Sequence, residues 1–241
     1  MKILGIDSSG LVASVAIVTE DNLIAEYTIN YKKTHSQTLL PMLDEIVQMI
    51  GISLEELDAI AVAAGPGSFP GLRIGASTAK GLGLALNKPI IGIPTVDGLA
   101  YNLFGTDKLI CPIMDAKRNQ VYTGLFDFKS DKLNVISEQK AVSIEDIIEE
   151  LNSLKREVIF LGDGVPVYRD QIEEKLEVPF LFAPPHLSKQ RAGAIATLGA
   201  IYYCEGKIQT AMEHEPVYLR LSQAERELAE KKKELNQSSN D

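Results

Sequence analysis

Hydrophobic positions follow two rhythms along this chain. Short unbroken apolar runs at Ile3–Ile6, Ala13–Val18, Ile60–Ala64 and Ile90–Ile93 have the length of buried strands, and Leu23–Ile29 adds another after the turn Asp21-Asn22. Elsewhere the spacing stretches to three and four residues. In His35–Ile50, Leu39, Leu43, Ile46 and Ile50 form one stripe. Leu40 and Val47 widen it on one side, Met42 and Met49 on the other, and only Asp44 and Gln48, with Gln37, make a clear polar face. That apolar arc is broader than the usual one-sided stripe of a surface helix. Thr34, with Gln37 three residues on, predicts a capping box at the helix start, and Gly51 predicts its end. Pro41 either bends the helix or marks where it begins. Ser53–Leu57 reads as a short capped turn. A second long helix is predicted over Gly71–Leu86, stopped by Asn87-Lys88-Pro89, and Val96–Phe104 as a third. Gly75, Ala76, Ala79 and Gly83 share one side of the second helix, small enough for another helix to approach closely.

The second half begins as the first does. Ile110–Met114 reads as a strand, residues 115–119 as a turn and Gln120–Phe128 as a strand. Placing Asp115 on Asp7 sets Tyr122 on Ser14 and Leu125 on Ile17, a weak internal repeat. A capped helix over Ser143–Leu154, a strand at Val158–Leu161, a turn Gly162-Asp163-Gly164, a helix over Val167–Leu176 and an apolar helix over Ala192–Cys204 follow. The order predicts an α/β protein of two lobes, each a mixed sheet flanked by helices. The first lobe spans 1–104 and is completed by part of 190–220, the second spans 105–189, and 221–241 is a charged, solvated tail. This pattern resembles the two-lobed actin-like (ASKHA) fold, whose strand-Asp-turn-strand hairpins face a nucleotide cleft and hold phosphates.

The glycine-rich stretch Gly65–Gly75 links a buried strand to a helix, where free N–H groups suit an anion. Its spacing is neither that of a phosphate loop, since no Lys-Ser/Thr follows, nor G-x-G-x-x-G, since after Gly67 the next glycine is Gly71. It is a nucleotide cradle of an unusual kind or a tight connector that sets up a helix for packing. The two hairpin turns are poorly built for phosphate. Asp7-Ser8-Ser9-Gly10 lacks a glycine two after its Asp, and Asp115–Gln120 has none, with Lys117 and Arg118 crowding the space. Asp7, Ser8, Ser9, Asp115, Gly162 and Gly164 therefore read as a degenerate, vestigial nucleotide cleft.

Composition narrows the classes further. The chain has 241 residues and a net charge of −9, which argues against a free-standing nucleic-acid binder. No run approaches the roughly 18 apolar residues of a membrane span, so a soluble, cytoplasmic protein is expected. Cys111 and Cys204 both lie among apolar neighbours and read as buried thiols. His35 reads as a helix start, His186 as a loop residue and His214 as part of a polar turn. No two of the three histidines sit at metal-ligand spacing, so no metal site is expected, and no G-x-S-x-G marks a serine hydrolase.

Six segments together resemble the TsaB (YeaZ) family: Gly5–Ser9, His35–Pro41, Gly65–Gly75, Lys80-Gly81-Leu82, Met114–Tyr122 and Pro216–Arg220. The resemblance runs from Ile3 to about Arg220, and the glycine loop is its most specific part. One residue departs from the pattern: Pro70 stands where family members usually carry Thr, and a preserved helix start is expected. The resemblance implies a non-catalytic subunit that pairs with a TsaD-type catalytic subunit in threonylcarbamoyl transfer to tRNA. It also implies a TsaE-type ATPase joining that heterodimer, a homodimer through the same helices when the partner is absent, and only indirect contact with tRNA. ATP and metal would sit on the partner subunits, with no cofactor on this chain. The expected pairing surface is the two long helices, with His35, Leu39, Met42, Leu43, Ile46, Leu72, Gly75, Ala76, Ala79 and Gly83 in contact. An ATP-dependent phosphotransferase of the same fold, or a metallopeptidase relic, are the competing readings.

Overall fold

The first apolar run becomes the centre of a sheet. The computed structural model describes residues 1–31 and 34–220. In it β1 (Lys2–Asp7) pairs antiparallel with β2 (Ala13–Thr19), and β2 with β3 (Leu23–Ile29). On its other side β1 pairs parallel with β4 (Ala59–Gly65), which pairs parallel with β5 (Ile90–Pro94). The inner strands β1 and β4 are apolar on both faces because helices cover both. Leu4, Ile6, Ile60 and Val62 face α1 (His35–Ile50) and α2 (Phe69–Leu86). Their alternates Ile3, Ala59, Ala61 and Ala63 face α6 (Ala192–Cys204).

The second sheet repeats this plan. β6 (Leu109–Lys117), β7 (Gln120–Lys129) and β8 (Lys132–Ser143) form an antiparallel meander. β9 (Val158–Leu161) and β10 (Phe180–Phe182) extend it in parallel from β6. The orders β3-β2-β1-β4-β5 and β8-β7-β6-β9-β10 are the same order twice. One face packs on α4 (Ile144–Leu154) and α5 (Val165–Lys175), the other on α3 (Thr95–Tyr101), which also touches α6 and so lies between the sheets. This is the two-lobed actin-like architecture.

The internal repeat is real but one residue off. Asp7 pairs with Ser14, whereas Asp115 pairs with Val121, so Tyr122 occupies the place of Val15. The second turn is shorter. Only Arg118 and Asn119 separate the paired Lys117 and Gln120, both at φ of 58°, as a two-residue hairpin of the primed type requires.

Other local expectations need correction. α2 begins at Phe69, two residues early, with Pro70 in a first turn that needs no N–H from it. The Ser68 hydroxyl caps it, accepting from the Gly71 N–H at 3.4 Å. No capping box forms at α1: the Gln37 N–H bonds the Thr34 carbonyl instead, at 2.9 Å. The helix runs through Pro41 to Gly51, whose φ of 65° closes it. β8 and β10 were not anticipated. Cys204 is exposed where α6 ends, while Cys111 is buried. His214 is buried rather than in a polar turn, with Nδ1 3.0 Å from Gln209 Oε1. Burial, and then the charge of Lys80, holds its imidazole below the usual range. The charged segment 221–241 lies outside the described residues. No described helix is long and apolar enough to cross a membrane.

Candidate functional site

β1 and β6 carry Asp7 and Asp115, at or near their C-terminal ends, to the ends of the two sheets, where a cleft of about 460 Å³ opens between the lobes. Ser9, Gly10, Gly67 and Phe69 line one side, and Asp115, Lys117 and Asp163 the other. Asp7 lies beneath the surface, 2% exposed. Its Oδ1 accepts both the Ser9 N–H at 2.9 Å and the Ser9 hydroxyl at 2.7 Å. Burial pushes its carboxyl up to about 6 against those two bonds. Asp115 behaves differently. Burial raises it too, but the Lys117 ammonium and N–H, at 2.5 and 2.8 Å, together with the Tyr168 hydroxyl, bring it below the usual carboxylate range. Asp163 accepts the Asp115 N–H at 3.2 Å, and burial raises its carboxyl.

The glycines of both lobes serve close backbone packing. A side chain on Gly67 or Gly71 would start 2.4 Å from the Ser9 carbonyl oxygen or 2.1 Å from that of Ser8. The Ser8 hydroxyl in turn donates to the Gly71 carbonyl at 2.9 Å. In the second lobe Gly162, at a φ of 109°, sits with its missing Cβ 2.1 Å from the Ile113 carbonyl oxygen, and the Gly164 N–H bonds that same oxygen at 2.9 Å. Several of the loop N–H groups that an anion site would present are thus already bonded. Ser9 donates to Asp7, Ser68 to the Ser9 carbonyl, Gly71 and Leu72 to Ser68, and Lys117 to Asp115. Asp7, Ser8 and Ser9 are brought against the glycine loop, while Asp115, Gly162 and Gly164 meet around the end of β6. Among the described residues, no three His, Cys, Asp or Glu gather as a metal site would need.

Most of the residues expected on the helical pairing surface are buried within the chain itself. Of the ten residues expected there, only His35 keeps partial exposure, and its Nε2 lies 2.8 Å from the Gly10 carbonyl. Leu39, Met42, Leu43, Ile46 and Ala79 are buried in the chain's own core, and Leu72, Gly75, Ala76 and Gly83 are buried with them. The small-residue side of α2 receives the β-sheet and Ala211: a Cβ on Gly83 would lie 2.8 Å from Ile90 Cδ1. What α1 and α2 present outward is Leu40, Met49 and Leu84, at 52%, 79% and 60% exposure, with Gly81 open beside them.

Sequence reasoning also missed the residues that bridge the cleft. The rings of Phe69 and Tyr218 stack at 4.4 Å, Arg73 Nε donates to the Tyr218 hydroxyl at 3.4 Å, and the Arg220 guanidinium donates to the Ala116 carbonyl. Pro216–Arg220 stood out as a motif, but nothing in its pattern names partners so far away in sequence.

Comparison with known proteins agrees with this arrangement. A family model described as TsaD, tRNA N6-adenosine threonylcarbamoyltransferase, matches residues 22–228. The tRNA threonylcarbamoyladenosine biosynthesis protein TsaB of Bacillus subtilis is 35% identical over 97% of this chain and 100% of its own length. That of Escherichia coli is 30% identical over 91% and 95%. The solved YeaZ from Pseudomonas aeruginosa shares the fold, with a TM-score of 0.78 at 23% identity over 90% of this chain and 99% of that one. With its doubled sheet order, its filled glycine turns and near end-to-end similarity to these relatives, the chain belongs to the TsaB (YeaZ) family.

Proposed function

We propose that this chain is a non-catalytic subunit of tRNA threonylcarbamoyladenosine biosynthesis. In this reading it binds a TsaD-type catalytic subunit and supports its transfer of threonylcarbamoyl to the adenosine next to the anticodon. The observation that carries the reading is the 35% identity to the TsaB protein of Bacillus subtilis over 97% of this chain, with Leu40 exposed on α1 and Leu84 on α2. Apolar side chains of this size left in water on neighbouring helices suit burial against a partner. ATP and metal belong to the partner subunits, a TsaE-type ATPase joins the pair, and tRNA contact is indirect. A second copy takes the same face when the partner is absent. A tRNA substrate places the complex in the cytoplasm.

The test replaces one outward residue. Leu84→Glu is expected to weaken association with the TsaD-type subunit by about 30-fold or more, the loss typical of a central interface anchor. Because Leu84 is exposed, the melting temperature of the isolated chain should hold. Unchanged association by titration calorimetry sinks the assignment of this face. Tight binding of magnesium-ATP by the isolated chain sinks the non-catalytic reading.

A further inference from the structure

The last described segment joins the two lobes across the cleft. At its start the His214 carbonyl accepts from Lys80 Nζ of α2 at 2.9 Å, and the Val217 N–H bonds the Ala64 carbonyl of β4 at 2.7 Å. The backbone presses so closely there that a Cβ on Gly65 would lie 2.1 Å from the Val217 carbonyl oxygen. Tyr218 then stacks on Phe69, the first residue of α2, and its hydroxyl accepts from Arg73 one turn later. Leu219 packs against the core cluster between α3 and the second sheet that includes Met114, Tyr122 and Leu161, and Arg220 reaches the Ala116 carbonyl of β6. Three residue steps thus lead from an anchor on the first sheet to an anchor on the second. An extended chain spans about 10 Å in three steps, so this connection has little slack. Phe69 and Arg220 both line the cleft. The other two crossings between the lobes, residues 102–108 and 183–191, are tied to one another elsewhere, by the Asn102 side chain donating to the Leu187 and Lys189 carbonyls.

We propose that residues 217–220 form a latch that sets the opening of the inter-lobe cleft. The lobes rotate apart about the paired crossings only when the Tyr218 stack and the Arg220 contact release. Because Phe69 and Arg73 both belong to α2, a shift of that helix's first turn is passed through Tyr218 to the second lobe. The device therefore couples the outer helical layer to the cleft.

Spin labels across the cleft in the full-length chain test this. Leu11→Cys and Arg118→Cys place one label on each lobe, both at exposed positions, with Cys204→Ser removing the exposed native thiol. In this background Tyr218→Ala with Arg220→Ala is expected to lengthen the mean label distance by several ångströms and broaden its distribution. Tyr218→Phe, which keeps the stack, should stay near the parent. Should the double variant lose its circular dichroism signal, the two single alanine variants carry the same expectation. Distributions that superimpose on the parent in folded variants overturn the latch.

Discussion

Alanine at Gly71 is expected to destabilise this protein by about 3 kcal/mol or more, although it adds a single methyl group near a helix start. The new Cβ would lie 2.1 Å from the Ser8 carbonyl oxygen and 3.3 Å from Ser68 Cβ. Neither atom yields easily. Ser8 directly follows the central strand and is 2% exposed, and its hydroxyl is bonded back to Gly71. Relief requires lifting the first turn of α2 off β1, which also opens the bonds from Ser68 to Ser9 and from Gly71 to Ser68. Gly81 on the same helix is the control. Nothing lies within 4 Å of its missing Cβ, so alanine there should stabilise by about 0.5–1 kcal/mol through helix propensity alone. Urea unfolding of the two variants reads both effects. Equal and small shifts would mean that the glycine loop does not pack as described.

The same contrast explains what the sequence could tell. Glycine content marks Gly65–Gly75 as a place of close approach, but not what approaches. A phosphate and the backbone of Ser8-Ser9 ask for the same absent side chains, and only the fold brings residues sixty positions apart together. β1, β2, β4 and β5 of the first sheet were legible because their apolar runs are largely buried on both faces. β8 was not, since its 12 residues mix Glu138, Gln139 and Lys140 with apolar positions and none of them is fully buried. The helical face is less legible for a related reason. A wide apolar arc says that more than one side is covered without saying by what. The structure spends Leu39, Leu43, Ile46 and the small side of α2 on the chain's own sheet. Of the outward residues, Leu40 and Met49 were the flanks of the pattern, and a flank looks unimportant until the centre has been assigned; Leu84 lay outside the pattern altogether.

Asp97→Asn is expected to stabilise the protein at pH 8 by about 2–4 kcal/mol and to do nothing at pH 3. Asp97 sits on α3, between the two sheets, at 8% exposure. Burial, and then the like charge of Glu138, pushes its carboxyl up to about 7 from an ordinary value of 3.8. Below 3.8 the group is protonated whether the chain is folded or not, and it has no effect on the balance. Between 3.8 and 7 the folded chain holds a proton that the unfolded chain has released. Stability from this group therefore falls as pH rises, by up to about 1.4 kcal/mol per unit, and levels off above 7. Asparagine carries no charge, so the variant escapes the loss. Asp7 adds a contribution of the same sign between 3.8 and about 6. There asparagine keeps the Oδ1 that accepts both Ser9 donors, so Asp7→Asn should also stabilise, by a smaller amount. Asp115 and Asp127, whose carboxyls are held below the usual range, pull the other way, but they cancel when variant and parent are compared at each pH. Urea midpoints for parent and Asp97→Asn from pH 3 to pH 8 should diverge upward from about pH 4. A difference that stays constant with pH would show that the Asp97 carboxylate is at ease between the lobes, and that α3 is wetter than its packing implies.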